Sequence, residues 1–485
     1  MNRQPLRHRA PLMIVVLAGG CALLSGCVGA GSSPSAAASA GSSARQIADE
    51  SQSPTPTLSA SEPDFTPRTA APTSDSDTSD DLSDTTCSAV LPKGAPVPAS
   101  TTAPAAPAGA WSSVNWQKLP ENALPNEFIN CAVDGIPSAS VDVFGWSKGF
   151  VALELGTNDS GQVDNAIPYA SSDGLTWHRG KPISFAAIDE DSNGPDDFYM
   201  VEGPAGLAIV ATEEPAVCGW EPPILDAVLK SQDGLNWSFI NLQPFDGDAN
   251  YVAGGGAGYL MTGAGSQGDV GVAWTSSDLV IWHKVALDSA GFKGSLTQGA
   301  AVFSGGFVMT GYSWSQSGCT DPLAPNKPAA WLSADGVSWS PVNLPGSLAG
   351  ANVETNVIRI TDQLLLVEAS TSKGGKVTVT DWISSDGASW SQIPDPGPDV
   401  SQLIEDGVRA FEIHCPDNSV AGCQKSQPTI QQLDSNLVAK TVAQTGFAIA
   451  DLLPESWPGD NLAVGPTGFV YVDDDGTVWF GSPTP

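Results

Sequence analysis

Oxygen-bearing side chains at alternating positions are the sharpest chemical signal in this sequence. In the run DEDSNGPDD, Asp189, Asp191 and Asn193, then Asp197 after Gly194, follow the D-x-D-x-N-G-x-x-D spacing with which a short loop wraps a hard cation such as calcium. Position twelve of that frame is Met200, so the bidentate glutamate that would complete an all-oxygen cage is missing, and a solvated acidic loop is the competing reading. A second set of residues suits carbohydrate. Trp220, Trp314, Trp457 and Tyr312 offer flat faces for stacking on sugar rings, and Glu213, Glu214, Asp321 and His414 offer hydrogen bonds to hydroxyls. Against that reading, the chain has 15 tryptophans, and most of them must serve packing. Cleaving a glycosidic bond needs only two facing carboxylates, and 53 acidic residues leave no pair singled out. Other chemistries have less support. His178 and His283 each follow a tryptophan in different copies of one phrase, so they cannot share a metal. Gly254-Gly255-Gly256 fits a turn between strands better than a phosphate-cradling loop, and no nucleophile elbow occurs.

Cysteine chemistry separates into two kinds. The chain opens with Arg3, Arg7 and Arg9, continues through an apolar stretch from Leu12 to Leu24, and reaches Leu24-Ser25-Gly26-Cys27. That order of charged, apolar and small residues is a secretory signal, too short and glycine-broken for a spanning helix. Its end resembles the lipobox of bacterial lipoproteins. The resemblance implies cleavage before Cys27 and a diacylglycerol thioether on its sulfur, which gives two acyl chains and stable attachment. Cys21 is a weaker alternative. Residues 1–26 are thus expected to be removed, and the rest is expected at the outer face of the cytoplasmic membrane of a Gram-positive cell. Cys87, Cys131, Cys218, Cys319, Cys415 and Cys423 then remain, an even number outside the cytoplasm, which points to three disulfides. Cys415 and Cys423 are expected to pair, and the other four allow three connectivities. The formal charge of −33 repels nucleic acid, so no nucleic-acid partner is expected.

Residues 27–86 are rich in Ser, Thr, Ala and Pro with scattered acids, too poor in large apolar side chains to offset ordering entropy. They are expected to form a disordered stalk with a flexible reach of roughly 45 Å. Residues 87–110 form a transition.

The elements that must position any site appear as repeats. The phrase S-x-D-G-x-x-W occurs at 171–177, 231–237, 333–339 and 384–390, with Leu279 replacing glycine in the copy at 276–282 and a degraded copy at 432–438. The interval is about 50 residues, which suits a four-stranded propeller blade. Each interval also holds an apolar run after a turn residue, such as Gly149 to Leu153 or Gly306 to Met309, as expected of strands buried on both faces. The phrase resembles the Asp-box (BNR) repeat of sialidase-like propellers, although that family usually has one more residue between Asp and Gly. The resemblance implies that Asp173, Asp233, Asp278, Asp335 and Asp386 are structural and lie away from the active face. Sialidase activity would need an arginine cluster, whereas residues 111–485 contain only Arg179, Arg359 and Arg409. Near the end, 468–472 and 477–480 supply a hairpin without a fourth strand, and 113–119 supply a fourth strand with nothing before it. Their pairing closes a ring of seven blades, with six or eight as alternatives.

The expected architecture is therefore an all-β, seven-bladed propeller over residues 111–485. Cys218, Cys319, Cys415 and Cys423 fall in loops opposite the boxes, as does Cys131 ahead of a first strand, together with the aromatic and acidic candidates. The expected role is a monomeric, non-enzymatic binding or scaffold module for glycan or envelope protein, with calcium as the one candidate ion. A glycoside hydrolase with its site on that same face is the alternative.

Overall fold

The computed structural model describes residues 110–484, apart from 121–122, 125–138, 158–162, 186–194, 196, 214–223, 241–246, 266–270, 286–294, 314–326, 347–350, 374–375, 394–402, 415–428, 446–460 and 474–475. The described residues contain strands and turns and no helix. They form seven antiparallel sheets in a propeller. Blade 1 consists of Ala139–Trp146, Gly149–Thr157, Val163–Ser171 and His178–Arg179; blade 2 of Asp197–Gly203, Gly206–Glu213, Ile224–Ser231 and Ser238–Phe239. Blade 3 consists of Gly247–Gly255, Gly258–Gly265, Gly271–Ser276 and His283–Lys284; blade 4 of Ser295–Phe303, Gly306–Ser313, Lys327–Ser333 and Ser340–Val342. Blade 5 consists of Ala351–Thr361, Leu364–Lys373, Lys376–Ser384 and Ser391–Gln392; blade 6 of Leu403–Glu405, Ala410–His414, Thr429–Leu433 and Ala439–Thr441. Blade 7 takes Leu462–Gly465, Gly468–Val472 and Val478–Thr484 from one end of the chain and Ser113–Lys118 from the other.

That last pairing is the closure anticipated from the sequence. Ser113 lies opposite Thr484 and Lys118 opposite Trp479, so no third strand is left open. The link between blades 6 and 7 adds Ala443–Thr445 in parallel on the outer side of Ser113–Lys118. Trp111 pins the junction. It is fully buried, its ring centroid lies 5.0 Å from Phe411 and 5.1 Å from Phe469, and the Arg409 guanidinium sits 4.1 Å above it. Aromatic pairs and a cation over a ring favour each other electrostatically as well as by burial.

Each pair of successive blades shares an apolar cluster. Trp146, Leu153, Phe198 and Ile209 fill the seam between blades 1 and 2, for example, and Phe303, Val357, Val367 and Trp382 the seam between 4 and 5. The apolar second strands face both ways into these seams, which is why their sequence runs lack alternation.

The box turns join third to fourth strands, and their hydrogen bonds explain the phrase. In blade 1 the Ser171 hydroxyl donates to Asp173 Oδ1 at 3.0 Å and accepts from the Gly174 N–H at 2.9 Å. The same Oδ1 accepts the N–H groups of Leu175 and Thr176, both at 2.8 Å. Asp233, Asp278, Asp335 and Asp386 repeat the arrangement. The tryptophan indole then donates to the box-glycine carbonyl in blades 2, 4 and 5. The glycine position also touches the neighbouring blade. A Cβ on Gly174 (φ +77°) would stand 2.5 Å from the Phe480 ring of blade 7, and one on Gly387 (φ +70°) would stand 2.8 Å from Leu332 of blade 4. Blade 3 solves the problem differently. Leu279 accepts a φ of 61° and buries its whole side chain against Ala208, Val210 and Val228 of blade 2, so apolar burial offsets the backbone strain.

These aspartates tie folding to acid. The backbone N–H groups of Ser338 and Val337 and the Ser333 hydroxyl hold the Asp335 carboxyl down at about 2, from an ordinary 3.8. Burial pushes Asp173 and Asp233 upward, but hydrogen bonds from their own turns outweigh it; turn N–H groups likewise lower Asp278 and Asp386. A depressed folded-state value stabilises the fold fully above 3.8 and ceases to do so as pH falls toward 2, because the unfolded chain binds protons first. Urea unfolding of wild type and Asp335→Asn should therefore show wild type more stable at pH 6, with the gap narrowing steadily between pH 4 and pH 2.5. A gap independent of pH would show that the charge contributes nothing.

Candidate functional site at the box-bearing mouth of the channel

Strand direction alternates within a blade, so the turn from first to second strand lies at the same end as the box. Side-chain contacts bear this out. Thr467, in the first turn of blade 7, donates to the Asp173 carbonyl in the box of blade 1 at 3.2 Å. Lys148, in the first turn of blade 1, reaches the Gln232 carbonyl in the box of blade 2 at 3.1 Å.

A cavity of about 550 Å³ occupies this end of the central channel. It is lined by the later halves of the first strands and by the turns that follow them, with contributions from all seven blades. Its size lies within the range of small-molecule sites. Phe144, Tyr199 and Tyr251 supply aromatic surface, with the edge of the buried Trp146; Glu202, Asp362, Glu405 and Asp406 supply carboxylates, and among the described residues Arg359 is the one basic side chain in the lining.

Local chain geometry places these groups. First strands meet closely around the channel, where a Cβ on Gly145 would collide with the Val464 carbonyl at 1.7 Å and one on Gly254 with the Glu202 carbonyl at 2.3 Å. Polar side chains emerge just past this narrow waist. Arg359 lies two residues before the end of blade 5's first strand and reaches across to blades 3 and 6. Its Nη1 donates to the Gly254 carbonyl of blade 3 at 3.2 Å and lies 3.4 Å from Asp362, while Nη2 donates to Glu405 of blade 6 at 2.6 Å. Burial alone would lower the guanidinium pKa, but the charge and hydrogen bond of Glu405, with Asp362 and Glu202, raise it. The arginine is therefore a fixed cation that joins three blades. Glu202 in turn accepts the Ser147 N–H at 2.8 Å, which ties blade 2 to blade 1. Asp406 takes Arg409 Nε at 2.8 Å, the same arginine that stacks on Trp111. Asp362 is the least engaged carboxylate, with half its side chain exposed.

The site residues expected from sequence fare differently. Tyr312 and His414 are half-buried near or at the ends of second strands; Glu213 ends another second strand, and Asp197 begins a first strand. All four thus lie at the end opposite the boxes, as strand alternation requires. They belong to blades 2, 4 and 6, and none lines the cavity. Trp220, Trp314, Trp457, Glu214, Asp321, Asp189, Asp191 and Asn193 lie outside the described residues, as do Cys27, Cys87, Cys131, Cys218, Cys319, Cys415 and Cys423. Among the described residues no group of three or more His, Cys, Asp or Glu side chains is placed to hold a metal ion. Arg179 sits on a fourth strand, away from Arg359. The cavity opens where the boxes are, whereas recognition was expected only on the far rim. The residues that build it precede the glycine or turn that starts each second strand, a recurring position that could have flagged Glu202, Asp362 and Glu405.

No known protein family matches the chain, and no curated protein matches its sequence. Solved structures do resemble it in fold. A catalytically inactive virginiamycin B lyase from Staphylococcus aureus with quinupristin aligns over 76% of this chain and 99% of its own, at 9% identity and TM-score 0.40. A thermostable family-43 glycoside hydrolase covers 54% and 97% at 11% identity and TM-score 0.28. The sucrose-6-phosphate hydrolase of Lactobacillus gasseri covers 70% and 87% at 12% identity and TM-score 0.27. At such identities the likeness is one of fold alone.

Removing the arginine tests the cross-channel tie. Arg359→Met should cost about 2–3 kcal/mol in urea unfolding, because Glu405 and Asp362 lose their counter-charge in a partly buried place. Arg359→Met combined with Glu405→Leu should recover most of that loss. Additive losses would show that the two groups are not coupled.

Proposed function

We propose that the propeller is a carbohydrate-binding module whose ligand enters the cavity at the box-bearing mouth of the channel. The observation that carries this reading is a preformed cavity whose lining brings aromatic side chains of blades 1, 2 and 3 together with carboxylates of blades 2, 5 and 6. Aromatic surface stacks on the apolar faces of sugar rings, and carboxylates accept hydrogen bonds from hydroxyls. Each of these carboxylates also serves a structural tie, to Ser147, Arg359 or Arg409, which suits holding a ligand better than exchanging protons with one. Calorimetric titration with short oligosaccharides should show at least tenfold weaker binding by Tyr251→Ala and Asp362→Ala and unchanged binding by Tyr312→Ala. Loss confined to Tyr312→Ala would move the site to the opposite face.

Glycoside hydrolysis is the second reading, favoured by carboxylates from three blades sharing one cavity. Its mark would be steady release of the aryl group from nitrophenyl glycosides, lost in both Glu202→Gln and Asp362→Asn. The leading reading predicts no turnover by wild type.

The setting we propose for this module is a lipid anchor at Cys27 with a flexible stalk over residues 27–86, supported by the Leu24-Ser25-Gly26-Cys27 segment. Labelling cells with a clickable fatty acid should mark the wild-type chain and leave Cys27→Ala unmarked. Equal labelling of both would remove the anchor from the proposal.

A further inference from the structure

Within the cavity the polar groups are unequal in what they have left to offer. Four carboxylates line it against one guanidinium, and that guanidinium is committed to the Gly254 carbonyl, Asp362 and Glu405. Asp406 is committed to Arg409 and to the N–H groups of Val408 and Arg409, and one oxygen of Glu405 to the Gly407 N–H. Among the described residues of the lining, an incoming anion would find no uncommitted cation. Asp362, by contrast, meets its partner at only 3.4 Å and is 52% exposed.

Asn356 is the independent observation. It lies on the first strand of blade 5, three residues before Arg359 and so about 10 Å further down the channel at the usual rise of an extended strand. It is only 9% exposed and lines the cavity, yet its carboxamide makes no hydrogen bond among the described residues. Neither amide atom is shut off from solvent, so a ligand carrying both donors and acceptors would take the place of water on this carboxamide.

On these grounds, and resting on the carbohydrate reading above, we infer that the ligand is an amino sugar with a free, protonated amine. Its ammonium group pairs with Asp362 at the mouth, within reach of the field of Glu202 and Glu405, and its hydroxyls meet Asn356 at the floor. The half-buried Tyr199 and Tyr251 favour a ring over a basic peptide side chain. The charge of −33 steers a cationic ligand toward the protein and an acidic glycan away.

The test is calorimetry at pH 6 on the whole propeller-bearing chain. The probes are glucosamine oligosaccharides, their N-acetylated counterparts, oligogalacturonate and a lysine-containing peptide, each in 50 mM and 300 mM salt. The glucosamine oligomers should bind at least tenfold more tightly than the acetylated ones, with the advantage shrinking in high salt. Asp362→Asn, at an exposed position, should abolish the preference, whereas Asn356→Ala should weaken both sugars and leave their ratio unchanged. Equal binding of both sugars, or preference for galacturonate, would overturn the amine inference and leave the carbohydrate reading standing. Binding of the peptide alone, or of none of the probes, would overturn both.

Discussion

The ring depends on one packing constraint: each third-to-fourth strand turn must close tightly enough to wedge against the blade before it. A serine hydroxyl and an aspartate carboxylate achieve this by gathering three turn N–H groups that would otherwise face outward unsatisfied. The residue at the bend then either vanishes, as glycine, or fills the seam, as Leu279 does. Apolar clusters between blades supply most of the burial, but they are slippery surfaces, and the turn fixes how one blade is set against the next. The five aspartates are regular because the ring is regular, and regularity of this kind points away from catalysis.

At the inner edge the same packing has a different outcome. First strands converge so closely that glycine is needed at Gly145 and Gly254, and side chains cannot fill the axis at that level. Just past the waist, space opens and water-facing groups return. Neighbouring blades there are tied by polar contacts: the ion pair of Arg359 with Glu405, the Ser147 N–H on the Glu202 carboxylate, and a 2.8 Å backbone hydrogen bond from Asp362 to Gly407. A stable mouth and a preformed cavity thus have one cause, since the groups that lock the blades together also line the space they enclose.

How much of this was legible in the sequence follows from range. The boxes carry their own hydrogen-bond partners within seven residues, so the phrase was visible and its structural role could be argued. The second strands were visible as unbroken apolar runs, and closure by 113–119 followed from a strand missing at one end and spare at the other. The cavity was not visible in this way. Arg359 and Gly254 are far apart in sequence and meet only because the ring brings blades 3 and 5 across the axis. Asn356 is one asparagine in a strand of mixed polarity, with nothing local to distinguish it. Strand alternation placed Tyr312 and His414 opposite the boxes, and the expectation that recognition follows them there came from the box resemblance together with loop cysteines, aromatics and acids, most of which lie outside the described residues.

The most direct measurement of where the ligand lies is hydrogen–deuterium exchange with and without a saturating glucosamine oligosaccharide. Slower exchange in peptides covering 199–205, 251–257, 356–363 and 403–409, at the box-bearing mouth, is the predicted result. Protection confined to peptides from the opposite end, covering 210–213, 224–227, 310–313, 327–330 and 411–414, would contradict the account.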